Sequence, residues 1–426
     1  MLIYTEIITT RLCYVLDFVF KEHHLNYVLT NDWKKYCDFE GEKLVYSANE
    51  NTREPFLKAS SFLFEEAYRK IELPKKSMWN DEECLEINGV IDPLAAIFYV
   101  LSRYEEYSVK FPDKHNRFKS TESIQHTFNW LQIQIVERWV SVFLKTYFPN
   151  GFIQYNDLKS VRFIPSFDID NTFAHQWKEG WRTALSVCKD ILTGNKARRE
   201  ERNAVLKGGK DPFDSFDEMI EVAQVFPETR IFWHLGDYGK YDTNIHWNEP
   251  RHRGFIQSIS HLVQVGLHPS YKSNVSDYAL ESEKERIQTI TKKNIDESRQ
   301  HFLKLFFPIT YRRLMQLGFK RDFTMGYADN VGFRAGTAYE HYFFDVKTNN
   351  YTSYRIVPFC YMDGTLHEYL HLSVEDSCKL VRKLVKEVKD YGGVMCFIWH
   401  NETFAGAGKW NGWKKVFNKT VEAWNE

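Results

Sequence analysis

The stretch Val161–Asn171, VRFIPSFDIDN, is an apolar run that ends in two carboxylates, Asp168 and Asp170. Residues two apart on an extended strand share a face, so both acids aim at one small volume. Two carboxylates that close repel unless a cation neutralises them or one takes up a proton. Either outcome is useful chemistry. An isolated Asp-x-Asp is more often a strand end whose side chains cap the next turn, so its meaning depends on what converges beside it.

Several other apolar stretches end in groups of the same kind. GLHPSY delivers His268 and Tyr271, and SRQHF carries Arg299 and His301 two residues apart. GYADNVGFRAGT supplies Tyr327, Asp329 and Arg334 but lacks the spacing of a phosphate-cradling loop. A further apolar stretch ends at Asp363, and FIWHNE ends the series with Trp399, His400, Asn401 and Glu402. Neutral imidazole beside carboxylate suits zinc or another divalent first-row metal. Asp168 and Asp170 with His268, completed by His301, form the expected metal-type cluster. His234 is a weaker candidate, with Trp233 read as core. Arg299 is read as orienting an acid or binding substrate, against a plain rim salt bridge. Tyr271, Tyr327 and Trp399 are candidate sugar-stacking residues, with core packing the bland alternative for Trp399. Asp329 and Arg334 sit in a loop expected to approach substrate. His246, His252, His261 and His341 lack such placement and are read as surface residues.

The elements that must position these groups alternate. Candidate strands are 161–167, 229–235, 264–268, 298–305, 322–327, 353–361 and 393–399. Candidate helices fall at 181–192, 213–225, 254–263, 280–293, 308–317 and 374–389. Strands interleaved with helices over roughly 260 residues argue for a parallel sheet, and by length for a distorted (β/α)7-type barrel, with an open doubly wound sheet as the alternative. In such folds the carboxyl ends of the strands share one rim, where active sites lie. GNKARREERNAVLKGGKD, 194–211, reads as a solvated loop beside that mouth.

Residues 1–155 read as a smaller mixed α/β domain without a metal-type cluster, whose bland role is packing or partner binding. It holds a helix over 7–20, short strands at 25–29 and 43–47, an apolar helix opened by Asp92-Pro93, and another helix over 128–147. Turn residues at 149–157 mark the expected linker to the catalytic domain, 156–426.

The chain has 426 residues, more than one core usually holds. Its formal charge of -1 removes the electrostatic case for a nucleic-acid partner. Seven scattered cysteines without a Cys-x-x-Cys pair suit reduced thiols rather than a zinc or redox motif. The N-terminus lacks the features of a secretory leader, and no window is long and apolar enough to span a bilayer. The expectation is a cytoplasmic protein. Oligomeric state leaves no mark in the pattern.

Taken together, SFDID, GLHPS, the Arg of SRQHF and FIWHNE resemble, in order, the motifs of the polysaccharide deacetylase (NodB-homology) family. The helix DPLAAIFYVLSRYEEY, with GYADNVGFRAGT and MDGT, is similar to a mainly Bacteroidetes subgroup that carries an uncharacterised N-terminal domain. The resemblance implies a distorted barrel and metal-dependent removal of N- or O-acetyl groups from a carbohydrate. It also implies Asp168 as general base, Asp170 and His268 as metal ligands, Arg299 as the residue holding the base, and His400 as general acid. Zinc, cobalt or nickel would serve. Two positions depart from the pattern. The usual adjacent aspartates are split by Ile169, which leaves their two roles interchangeable. The family's second metal histidine would fall at Lys272, which leaves the site to be completed by His301. That gap also supports a competing expectation, a non-catalytic sugar-binding or scaffold protein. A phosphoesterase using the same rim is a third.

Overall fold

The computed structural model describes residues 1–49, 55–108, 112–178 and 180–426. The chain opens with a parallel sheet of β1 (Leu2–Tyr4), β2 (Val28–Thr30), β3 (Lys43–Ser47) and β4 (Phe56–Lys58), in the order β2-β1-β3-β4. An antiparallel sheet of β5 (Lys75–Trp79), β6 (Glu82–Ile87) and β7 (Val90–Ile91) follows. The helix opened by Asp92-Pro93 spans Pro93–Leu101, and Asp92 Oδ1 accepts from the N–H groups of Leu94 and Ala95 at 3.1 Å each. Every residue of that helix is buried, as an all-apolar helix requires.

The stretch expected to be turn-rich is helical. Pro149–Leu158 is a helix, because proline is tolerated at a first helical position and there starts a helix rather than breaking one.

Beyond it come β8 (Val161–Ile169), β9 (Arg230–Trp233), β10 (Gln264–Leu267), β11 (Glu297–Ser298), β12 (Arg321–Asp322), β13 (His341–Asp345), β14 (Asn350–Ile356) and β15 (Gly393–His400). They form one sheet in the order β13-β14-β12-β11-β10-β9-β8-β15. Every pairing is parallel except the β13–β14 hairpin. Helices Phe216–Val225, Pro250–Leu262, Asp277–Thr291, Ile309–Gln316 and Val374–Tyr391 alternate with the strands. After β14 the chain keeps pairing on both sides. Val357 N donates to Asp322 O at 2.8 Å and Phe359 N to Met325 O at 2.9 Å. On the other side Cys360 N donates to Cys396 O at 2.8 Å and Ile398 N to Tyr361 O at 3.0 Å.

Strand parity sorts the side chains into two apolar layers. Phe163, Phe167, Ile169, Trp233, Phe397 and Trp399 face one layer, which continues into residues of the N-terminal sheets and helices. Ile164, Phe232, Phe323, Phe359, Cys396 and Ile398 face the other. Asp168 and Asp170 share the parity of Ile164, and His400 that of Ile398. The polar strand ends therefore belong to the second layer.

Three local expectations change. The strand expected at 298–305 is two residues long and gives way to a 3-10 turn, His301–Leu303. The charged stretch 194–211 contains a helix, Lys196–Leu206. His252 and His341 are buried, not superficial: His252 Nε2 bonds Thr172 Oγ1 at 2.8 Å, and His341 Nδ1 bonds Tyr339 O at 3.1 Å. Among the described residues, no helix is long and apolar enough to cross a membrane.

Candidate active site

The register of the sheet brings the strand ends together. His400 lies opposite Asp168 in the β15–β8 pair. Moving the other way, His234 N donates to Ile169 O, His268 N to Trp233 O and Arg299 N to Leu267 O, at 3.2, 3.0 and 3.0 Å. Neighbouring strand ends thus converge, with Asp168, Asp170, His268 and His400 at one mouth and His234 and Arg299 beside it.

Asp170 is the centre of the cluster. Its Oδ1 lies 3.1 Å from His268 Nε2, and its Oδ2 lies 3.3 Å from His301 Nε2 and 3.8 Å from His400 Nε2. Asp170, His268 and His301 each turn one ligand atom inward, all within 4.8 Å of one another. The other ring nitrogens are already committed. His268 Nδ1 donates to the Arg299 carbonyl at 2.6 Å, and His301 Nδ1 faces Asp242 Oδ1 at 3.1 Å. A donor at Nδ1 leaves a neutral imidazole with a bare Nε2, the arrangement usual for a metal-ligating histidine. Asp170 Oδ1 is buried and makes no well-directed hydrogen bond. An oxygen and two imidazole nitrogens in this arrangement fit a divalent cation.

The local backbone serves that geometry. Phe302 and Leu303 hold φ of 59° and 54°, a left-handed conformation costly for large side chains and typical of functional turns. This turn follows directly on His301. Lys272, at the family's usual second histidine position, is exposed, and its backbone N–H points to Asp242 Oδ2 at 3.4 Å.

Asp168 and Asp170 are distinguished by their neighbours. Asp168 Oδ1 accepts from Arg299 Nη1 at 2.8 Å, whereas both imidazoles lie closer to Asp170. Arg299 is fully buried, stacks over Phe232 at 4.5 Å, and donates through Nε to Phe323 O at 3.0 Å. On the opposite side, His400 Nδ1 bonds Asp363 Oδ1 at 2.8 Å, while the His400 N–H donates to Asp363 Oδ2 at 2.8 Å.

Charge follows from this packing. Burial opposes ionisation of Asp170, but the imidazoles of His301, His268 and His400 packed against it together hold its carboxyl well below the usual range. Burial likewise opposes the cation on His301, yet Asp170 and Asp242 push its pKa up to about 9. His400 is raised well above the ordinary histidine value, because Asp363, Asp170 and Asp168 outweigh desolvation. The cluster is built for positive charge.

Several residues escaped the sequence reading. Asp363 stood out only as a strand end, yet it fixes the ring of His400. Asp242, in a turn-rich loop without any pattern, bonds His301 and also His234 Nε2 at 2.9 Å. His234, Asp242 and His301 form a second group of possible ligand atoms. It shares His301, so His234 stands behind Asp242 rather than in the mouth. Phe302, Tyr369 and Trp410 line the hollow beside the acids. So does Arg117 from the N-terminal region, whose Nη1 donates to Phe302 O and Nη2 to Tyr369 Oη, at 3.0 Å each.

Three candidate substrate contacts are elsewhere. Trp399 is fully buried in the outer layer, since parity turns it away from the mouth when His400 points in. Tyr327 is buried, its hydroxyl 3.2 Å from Gln125 Oε1. Arg334 is buried in an ion pair with Glu106, which the sequence could not reveal across so long a separation. Asp329 accepts the Ser120 N–H on both oxygens, at 3.2 and 3.1 Å. Tyr271 is half-buried on the rim, 4.5 Å from Tyr241 and 5.3 Å from Phe302 by ring centroids.

Residues 1–147 match the model of a family of unknown function (DUF7033). No curated protein matches the chain. Among solved structures, the chain is similar to a Mycobacterium smegmatis protein assigned as a polysaccharide deacetylase, at 12% identity and a TM-score of 0.41, over 62% of this chain and 83% of that one. Puue allantoinase is matched at 9% identity and a TM-score of 0.37, over 62% and 83% of the two chains. The polysaccharide deacetylase Bc1974 from Bacillus cereus is matched at 8% identity and a TM-score of 0.30, over 63% and 87%. The likenesses are remote at these scores, and the chemistry of the site stands on its own atoms.

Proposed function

We propose that this chain is a metal-dependent hydrolase that removes acetyl groups, N- or O-linked, from a carbohydrate. The observation that carries the reading is the three-part constellation at one mouth. Asp170, His268 and His301 present ligand atoms inward, Asp168 is held by Arg299, and His400 is held by Asp363. The reading includes a ring of seven β-segments, in which Val357–Met362 joins the β12 side to β15, and a division near residue 155.

Asp170, His268 and His301 would hold the ion. A bound zinc, cobalt or nickel cation supplies Lewis acidity, which polarises a carbonyl and eases the ionisation of water. Asp168 takes the proton of the attacking water, and Arg299 holds that carboxylate in place. His400, carrying a proton because of Asp363, gives it to the departing amine or hydroxyl of the sugar, a contribution of typically ~10²–10⁴ in rate. Tyr271, Phe302, Tyr369 and Trp410 offer flat faces for a sugar ring. The spacing of Asp329 from the acids and its bonds to Ser120 assign it to supporting the rim.

Among the described residues the hollow is lined by no cysteine, serine or threonine, and its imidazoles converge on Asp170, which favours a single cation acting on water. The scaffold reading drew its support from Lys272, and His301 supplies the third ligand atom that Lys272 cannot. The test is release of acetate from acetylated amino sugars and from O-acetyl sugars. Activity should fall on chelation and return with zinc, cobalt or nickel. Stoichiometric metal with no acetate release from any acetylated sugar would refute the reading.

A further inference from the structure

A second cavity lies beside the first and has the opposite charge. Its lining includes five cationic side chains, Lys178, Arg182, Lys189, Arg198 and Arg202, and no carboxylate among the described residues. Of the acids nearest to it, Asp190 pairs with Arg202 and lies 3.5 Å from Arg198, offsetting part of their charge. Glu201 pairs with His175 at 2.8 Å, and Asp211 accepts the backbone N–H groups of Ala174, His175, Gln176 and Phe213. Arg202 Nη1 is buried without a hydrogen-bond acceptor. Lys178 makes no ion pair with any described carboxylate, and burial with the neighbouring arginines pushes its pKa down to about 8. A concentration of cations around a buried donor left unfilled is costly unless an anion completes it.

This cavity and the mouth at Asp170 each share lining residues with a hollow between them. Lys178 and Arg198 also line an adjoining hollow that includes Asn171, Glu402 and Trp410. Glu402 and Trp410 in turn line the hollow of Asp170 and His400. Asn171 directly follows Asp170 in the chain. At the cavity's outer edge, Trp181 and Tyr238 expose aromatic rings 5.8 Å apart.

We propose that this basic cavity is the anion subsite of the enzyme, and that its substrate is an acetylated sugar bearing a phosphate or diphosphate ester. The anion sits on Lys178, Arg198 and the open Nη1 of Arg202, and the groove along Trp410 leads the acetylated ring to the acids. The sugar part of this proposal rests on the deacetylase reading; the anion part does not.

The experiment has two arms. First, binding of inorganic pyrophosphate to the intact protein is measured by calorimetry, for wild type, for Lys178→Gln/Arg198→Gln, and for the charge-conserving Lys178→Arg/Arg198→Lys. Pyrophosphate should bind wild type and the conserving variant, and at least about tenfold more weakly to the neutral one, as expected for losing charge-assisted bonds. Absence of binding, or equal binding by all three, overturns the proposal. Second, kcat/KM is compared for N-acetylglucosamine, its 1-phosphate and its nucleoside-diphosphate ester. Either phosphorylated sugar should exceed the neutral one by about tenfold or more, a preference lost in the neutral variant; which of the two leads identifies the source of the phosphate. Equal kcat/KM for neutral and phosphorylated sugars overturns the proposal while leaving the deacetylase reading intact. Pyrophosphate binding with no acetate released from any sugar refutes the deacetylase reading and leaves the anion site standing.

Discussion

Asp363→Asn isolates the proton-donating half of the proposed chemistry. The exchange keeps the shape of the side chain and removes its charge. Asp363 is fully buried and lies 2.8 Å from His400 Nδ1. At an effective dielectric of about 20, two unit charges at that separation attract by about 6 kcal/mol. The His400 side chain is 20% exposed, and solvent there cuts the attraction to about 3 kcal/mol, so removing the Asp363 charge loosens the imidazolium's hold on its proton. A neutral His400 cannot protonate a departing amine. The assay compares two leaving groups. On an acetylated amino sugar, whose amine leaves only with a proton, kcat should fall about 10²–10³-fold. On p-nitrophenyl acetate, whose phenolate leaves unaided, it should fall less than about fivefold. Bound metal should be unchanged. Equal losses on both substrates would refute the assignment of His400 as acid, because the defect would then lie before leaving-group departure.

Asp168→Asn should lower acetate release by ~10²–10⁴ while retaining a full equivalent of metal; undiminished turnover, followed by coupled acetate detection, would remove the base from Asp168. His301→Ala should weaken zinc binding by at least ~10²-fold in equilibrium dialysis, and an unchanged affinity would show that the cation is held elsewhere. Glu106→Gln leaves Arg334 buried without its counter-charge, and denaturant unfolding should show a loss of about 3–5 kcal/mol with metal affinity intact. Asp322 is buried, and desolvation pushes its carboxyl up to about 6 from 3.8. The folded state holds this proton more tightly than the unfolded chain does, so the carboxylate's penalty is present above about pH 6 and is relieved as pH falls towards 4. Asp322→Asn should flatten that slope, worth about 3 kcal/mol, in melts between pH 4 and 7.

The mouth was legible because strand ends announce themselves: an apolar run that stops at Asp168, His268 or His400 has one geometry available to it. Arg299 and His301 were readable as a pair, although the turn at Phe302, not a strand, delivers the imidazole. Parity was equally available in the sequence, and it decides against Trp399 once His400 is taken as inward. Arg334 and Tyr327 were misassigned for another reason. Their polar atoms meet Glu106 and Gln125 from the first third of the chain, and no local pattern carries that contact. Asp363 and Asp242 went unassigned because a carboxylate that serves a histidine needs no periodicity, only proximity. The 149–157 stretch reads as turns by composition, but a proline at the first helical position is a start signal as much as a stop.

Arg117 lies far upstream of β8, yet its guanidinium holds the Phe302 carbonyl and the Tyr369 hydroxyl that frame the hollow. Part of the wall of the hollow is therefore supplied by a stretch that contributes no acid or ligand to it. Trimming the protein to residues 156–426 would strip away that brace, abandon Arg334 without Glu106 and bare the shared apolar layer. Anyone wishing to transplant or minimise this site should expect to carry the first third along, as scaffolding that the mouth cannot be taken down from.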